Sequence, residues 1–85
     1  MKWRVEVLPS AADAMERLEK RDRSRVARAV DALASKPRPS GAKKLRNEGN
    51  RWRIRVGDHR IIYDIRDREL IILVIKLGHR KDVYR

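Results

Sequence analysis

Nothing in this chain limits its folding choices more tightly than the decapeptide Arg51-Trp52-Arg53-Ile54-Arg55-Val56-Gly57-Asp58-His59-Arg60. Arginine alternates with Trp52, Ile54 and Val56, the period-two pattern of a strand with one apolar and one polar face. Gly57-Asp58 then supplies a two-residue hairpin turn. With that turn, position 56 pairs with 59, 55 with 60, 54 with 61 and 52 with 63. Ile54 then faces Ile61 and Trp52 faces Tyr63, so the apolar partners match. The same register sets Arg55 directly opposite Arg60, with Arg53 one pleat away. Like charges opposed across a sheet are destabilising. A strand face that keeps them points to a polyanion, and nucleic-acid phosphates are the leading candidate. On pattern alone, Arg51, Arg53 and Arg55 read equally well as a solvated strand face, and the Arg55–Arg60 juxtaposition favours function.

The charge balance supports a polyanionic partner. The 85 residues carry a net charge of +11, with 16 Arg against 7 Lys. Arginine grips phosphate bidentately through a rigid planar fork. Residues 1–37 carry a net of +3 and residues 38–85 a net of +8, so the excess is concentrated in the C-terminal part. RNA, DNA or an acidic protein all fit such a field. The length allows one domain, 1–85. There is no cysteine, which removes disulfide and thiolate-metal chemistry and suits a reducing compartment. Two histidines without a fitting carboxylate set give no metal signature, and no cofactor is expected. No apolar run reaches membrane-span length, and the opening residues alternate charged and apolar side chains rather than forming a signal-peptide core. The expectation is a cytoplasmic protein with no membrane contact.

Elsewhere the patterning predicts an α+β fold of order βααβββ, with a helical hairpin packed on one face of a mostly antiparallel twisted sheet. Residues 2–8 alternate as a first strand. Ser10 with Asp13 resembles a capping box, after which Ala11, Ala14, Met15 and Leu18 recur at helical spacing. Asp22 is a candidate N-cap for a second helix with Val26, Ala29, Val30 and Leu33 on one stripe. Lys36-Pro37-Arg38-Pro39-Ser40-Gly41 is a loop. Residues 60–66 form a strand, and a two-residue turn at Asp67-Arg68 pairs Arg66 with Glu69. Residues 70–77 form a central strand, broken at Gly78. The helices should cover Ile61, Tyr63, Leu70, Ile72 and Val74. Ile62, Ile71, Leu73 and Ile75 then share the arginine face as an aliphatic patch, the mark of a partner site.

Three segments carry a family resemblance: Lys43-Lys44-Leu45, the run from Trp52 to Tyr63, and the ending Gly78-His79-Arg80-Lys81-Asp82-Val83-Tyr84-Arg85. Together they resemble the RelE family, toxins of type II toxin–antitoxin modules, over essentially the whole chain. The resemblance implies a ribosome-dependent endoribonuclease that cuts mRNA in the ribosomal A site, the ribose 2′-OH attacking the adjacent phosphate without a metal. It carries family functional positions onto Arg53, Arg55, Arg60, Arg80 and Tyr84, and RNA contacts onto Lys44 and Arg46, with Lys43, Arg51 and Lys81 joining them by charge. Arg60 and Arg80 would clamp the phosphate, and Tyr84 would orient the nucleotide or handle a proton. The best-known members have lysines where Arg53 and Arg55 stand. Arginine does not give up its proton, so these two serve as electrostatic clamps, and His79, Tyr84 or Lys44 remain as proton carriers. His79 has the most suitable intrinsic pKa. The resemblance also implies an antitoxin supplied in trans, covering Ile62, Ile71, Leu73 and Ile75, in a toxin–antitoxin hetero-oligomer. The alternatives are the related ParE branch, which poisons DNA gyrase, and a non-catalytic nucleic-acid-binding protein.

Overall fold

Seven elements are present in the computed structural model, which describes residues 3–46 and 49–79. They are β1 (Arg4–Val7), α1 (Pro9–Glu16), α2 (Lys20–Leu33), β2 (Lys43–Lys44), β3 (Arg51–Val56), β4 (His59–Arg66) and β5 (Ile71–His79). The sheet order is β1-β5-β4-β3-β2. β1 runs parallel to β5 and every other pair is antiparallel. The α+β class stands as expected, with one strand more: Lys43–Lys44 pairs with Trp52 and Arg53 as a two-residue edge.

The core lies between the helices and one sheet face. Val26, Val30 and Leu33 of α2 and Ala11 of α1 meet Ile54, Ile61, Tyr63, Ile65, Ile72, Val74 and Leu77. Complete burial of an aliphatic side chain of this size contributes roughly 1.5–3 kcal/mol, so this cluster anchors the sheet. Beyond it, the Tyr63 hydroxyl donates to the Pro37 carbonyl at 2.8 Å, and the Arg38 guanidinium lies 5.3 Å from the Trp52 ring centroid. These two contacts tie the Pro-rich loop to the sheet.

Several local expectations are corrected. α1 starts at Pro9 with Leu8 as N-cap and no side-chain cap. Ser10 is already helical, so no capping box forms, and proline's preset φ begins the helix instead. α2 starts at Lys20 behind Glu19, and Asp22 lies in its first turn, where a carboxylate favours the helix dipole without capping. The β4–β5 turn is four residues long. Arg66 pairs with Ile71 rather than Glu69, and Leu70 takes a left-handed φ of 54°. Leu70 is consequently exposed rather than covered by the helices. A bulky residue at positive φ is rare, so no turn signal marks it. Because the turn is longer by two, an even number, the faces assigned to β5 survive up to Val74.

They change beyond it. The β4–β5 register shifts at Ile62/Tyr63: Tyr63 pairs with Val74, yet Ile62 pairs with Lys76. Ile75 is the extra residue of a bulge, which reverses the alternation downstream. Leu77 therefore joins the core, and Lys76 comes onto the face of Ile62. Gly78 does not break the strand, because β5 continues through it to His79.

Candidate nucleic-acid interface

The β3–β4 hairpin has the register its turn implies, with Val56 opposite His59, Arg55 opposite Arg60, Ile54 opposite Ile61 and Trp52 opposite Tyr63. Gly57 adopts a φ of +59° at the tip, a conformation open to glycine at little cost. With the helices on the Ile54 side, the arginines occupy the other face, open in the sense that neither helix among the described residues covers it.

Cross-strand pairs arrange this open face in rows. Nearest the tip, Arg55 faces Arg60, which faces Gly78. The next row is Lys43, Arg53, Ile62 and Lys76. A third row holds Arg51, Asp64, Leu73 and Glu6. The last holds Arg66, Ile71 and Arg4. Neighbouring strands are about 4.8 Å apart, so the first two rows bring together five cations, and no carboxylate is among the residues paired in them. The third row is balanced: Arg51 Nε lies 3.0 Å from Asp64 Oδ1. Arg4 and Glu6 likewise pair at 3.1 Å. The open face is thus basic at the hairpin tip and mixed at the far end.

Arg60 differs from its neighbours in depth. At 6% exposure it is the one buried charged side chain among the described residues. A guanidinium keeps its charge at any accessible pH, and a lower local dielectric strengthens its attraction for an anion brought against it. Arg55 is exposed and Arg53 half-buried. This gives a graded set of cations fixed on rigid strands, suited to holding a phosphate and the negative charge that develops on it.

The other candidates divide by face. Lys43 joins the arginines, whereas Lys44 pairs with Trp52 and shares the helix side. Arg46 is exposed in the turn after β2. His79 pairs with His59, the two rings making an edge contact at 6.1 Å. His59 Nε2 in turn lies 3.5 Å from Asp22 of α2. Both histidines therefore belong to the helix side, across the sheet from Arg55 and Arg60. Arg80, Lys81 and Tyr84 lie outside the described residues. Of the four aliphatic residues expected to form a patch, Ile62 and Ile71 are 6% and 9% exposed, Leu73 is partly exposed, and Ile75, also partly exposed, is the unpaired bulge residue. Simple alternation missed Lys76, because only the bulge brings it here. Arg60's depth had no sequence signal. Among the described residues, no group of three His, Cys, Asp or Glu side chains is placed to hold a metal ion, and no helix is long and apolar enough to cross a membrane.

Known proteins share this fold. Residues 5–84 match the family model described as the ParE toxin of the type II toxin–antitoxin system parDE. The chain is similar to the toxin in the archaeal RelE–RelB complex of Pyrococcus horikoshii OT3 (TM-score 0.85, 28% identity, 98% of this chain and 100% of that one). It also resembles the toxin–antitoxin complex RelBE2 of Mycobacterium tuberculosis (TM-score 0.82, 24% identity, 96% and 95%). A third relative in fold is the YoeB/ParE toxin of Agrobacterium tumefaciens (TM-score 0.77, 18% identity, 89% and 96%). Among curated proteins a sequence search finds no significant match.

Proposed function

The chain belongs to the ParE toxin family, within the RelE/ParE superfamily of type II toxin–antitoxin toxins, and on that footing we propose that it acts as a ribosome-dependent mRNA endoribonuclease. The observation that carries this reading is the Arg55–Arg60 pair, set beside Arg53, Lys43 and Lys76 on the open face with Arg60 buried. In the proposed reaction the ribose 2′-OH attacks the adjacent phosphate and the 5′-oxygen departs. Arg60 and Arg55 hold the non-bridging oxygens as charge accumulates on them, and Arg53 and Lys43 hold the flanking backbone. Preorganised donors of this kind lower the barrier because they need no reorientation as charge develops. Arg80 joins the clamp by family resemblance. Of the three side chains considered for proton transfer, His79 and Lys44 lie on the helix side of the sheet, so we assign that role to Tyr84.

The same reading includes an antitoxin chain in trans, because the RelE proteins of P. horikoshii and M. tuberculosis were crystallised with RelB partners. Its docking surface is the open face, with acidic groups over the arginine rows and apolar groups over Leu73 and Ile75. Ile62 and Ile71 support that surface from beneath.

A second reading is favoured by the family model itself: a ParE-type poison of DNA gyrase. The two separate cleanly. Primer extension in a translating reaction should map mRNA cuts that disappear with Arg60→Ala. Gyrase-dependent DNA breaks with intact mRNA would overturn the nuclease reading.

A further inference from the structure

On the helix side, α2 carries five cations, Lys20, Arg21, Arg23, Arg25 and Arg28, all exposed and all within its first nine residues. This distribution opposes helix stability. Cations favour the C-terminal turn and are unfavourable near the N-terminus, by roughly 0.3–1 kcal/mol each, yet the last turn of α2 has no basic residue. Nor are the arginines balanced locally: among the described residues no carboxylate pairs with Arg21, Arg23, Arg25 or Arg28. Asp22, the one acid of the first turn, faces His59 at 3.5 Å.

Arg21, Arg25 and Arg28 follow the i, i+4, i+7 spacing that aligns side chains along one helix face. Buried Val26, Val30 and Leu33 define a different face, toward the core. The arginine stripe meets the hairpin at the Gly57 tip. The Arg25 guanidinium lies over the tip, where a Cβ on Gly57 would come within 3.3 Å of Nη1. Further along, Ala29 and Ala32 line a cleft of about 250 Å³ that Arg55 borders from the strand side. Small side chains there leave room for a sugar–phosphate backbone to approach.

We propose that Arg21, Arg25 and Arg28 form a second RNA-binding ridge, which grips the phosphate backbone of a structured RNA on the helix side. It continues around the Gly57 tip to the arginine rows of the open face. The ridge rests on the reading of the protein as an RNA-directed toxin, but it acts in binding and not in the cleavage step. Phosphate contacts of this kind confer affinity without base specificity.

The test is Arg21→Gln/Arg25→Gln/Arg28→Gln against a charge-matched control of exposed residues outside both surfaces, Arg17→Gln/Lys36→Gln/Arg68→Gln. The probe is a fluorescein-labelled RNA hairpin, titrated by anisotropy over a range of salt, with an equal-length DNA duplex in parallel. The ridge variant should melt no lower than the wild type, lose about tenfold or more in RNA affinity, and reduce the salt slope by about 2–3, since each duplex phosphate contact adds about 0.9. The control should change the slope by less than one contact. Equal losses in both variants, or a loss confined to DNA, would overturn the ridge. If the ridge variant loses RNA binding while the wild type cuts no mRNA, the ridge stands and the nuclease reading falls.

Discussion

Arg55 and Arg60 are direct cross-strand partners in the β3–β4 ladder, two guanidinium groups held together by the hairpin that also builds the core. On the other face of the same hairpin, Ile54 and Ile61 are buried against the helices. The fold therefore tolerates a repulsive pair because the apolar side of the hairpin holds the register.

Relieving that repulsion should stabilise the protein and disable it. Arg55→Thr replaces one charge with a β-branched residue suited to a strand. Stability should rise by a few tenths to about 1 kcal/mol, read as a higher denaturant midpoint with unchanged slope. Ribosome-dependent mRNA cleavage should fall at least tenfold. Loss of stability together with activity would show that the pair is held by other contacts.

Leu73 lies between Glu6 and Asp64 on the open face, away from the basic rows. Leu73→Lys should leave folding and mRNA cleavage within about twofold of wild type. It should weaken antitoxin protection by at least tenfold, because a charge is then forced under an apolar contact. Undiminished neutralisation in a co-expression or binding assay would place the antitoxin elsewhere.

Tyr63 provides a pH signature. Burial pushes its phenol up from 10.0 to about 12, with the nearby Arg38 charge opposing the shift. The unfolded chain ionises near the ordinary value, so its contribution to stability is intact below about pH 10. As pH rises from about 10 to about 12 the unfolded state has lost a proton that the folded state retains, and stability falls. Denaturant midpoints measured across that window should drop in wild type. They should drop less in Tyr63→Phe, which at neutral pH loses about 1 kcal/mol with its hydrogen bond to Pro37.

His79 lies on the helix side with His59, so His79→Ala should retain cleavage within about threefold from about pH 5 to about pH 9. Tyr84→Phe should lose at least tenfold. A pH profile that loses its acidic limb in His79→Ala would return the proton to histidine.

The hairpin and its arginine face were readable in the sequence because both are local. Gly57-Asp58 sets the turn, and alternation from Arg51 to Val56 sets the faces. The αα-hairpin was readable for the same reason, although its helices begin one residue before Ser10 and two before Asp22. The β4–β5 turn was misread because Leu70, not a glycine, occupies its left-handed position.

By itself, then, the sequence determined the α+β class, the register of β3 on β4, the basic field and the family. Tertiary structure alone decided which cations share a face. β5 must pair in parallel with β1 and antiparallel with β4, and between those two partners it inserts Ile75 as a bulge. That insertion brings Lys76 to the open face and turns His79 away from it. A period of two predicts faces only up to the next irregularity. The depth of Arg60, 6% exposed, is likewise something on which no local pattern reports.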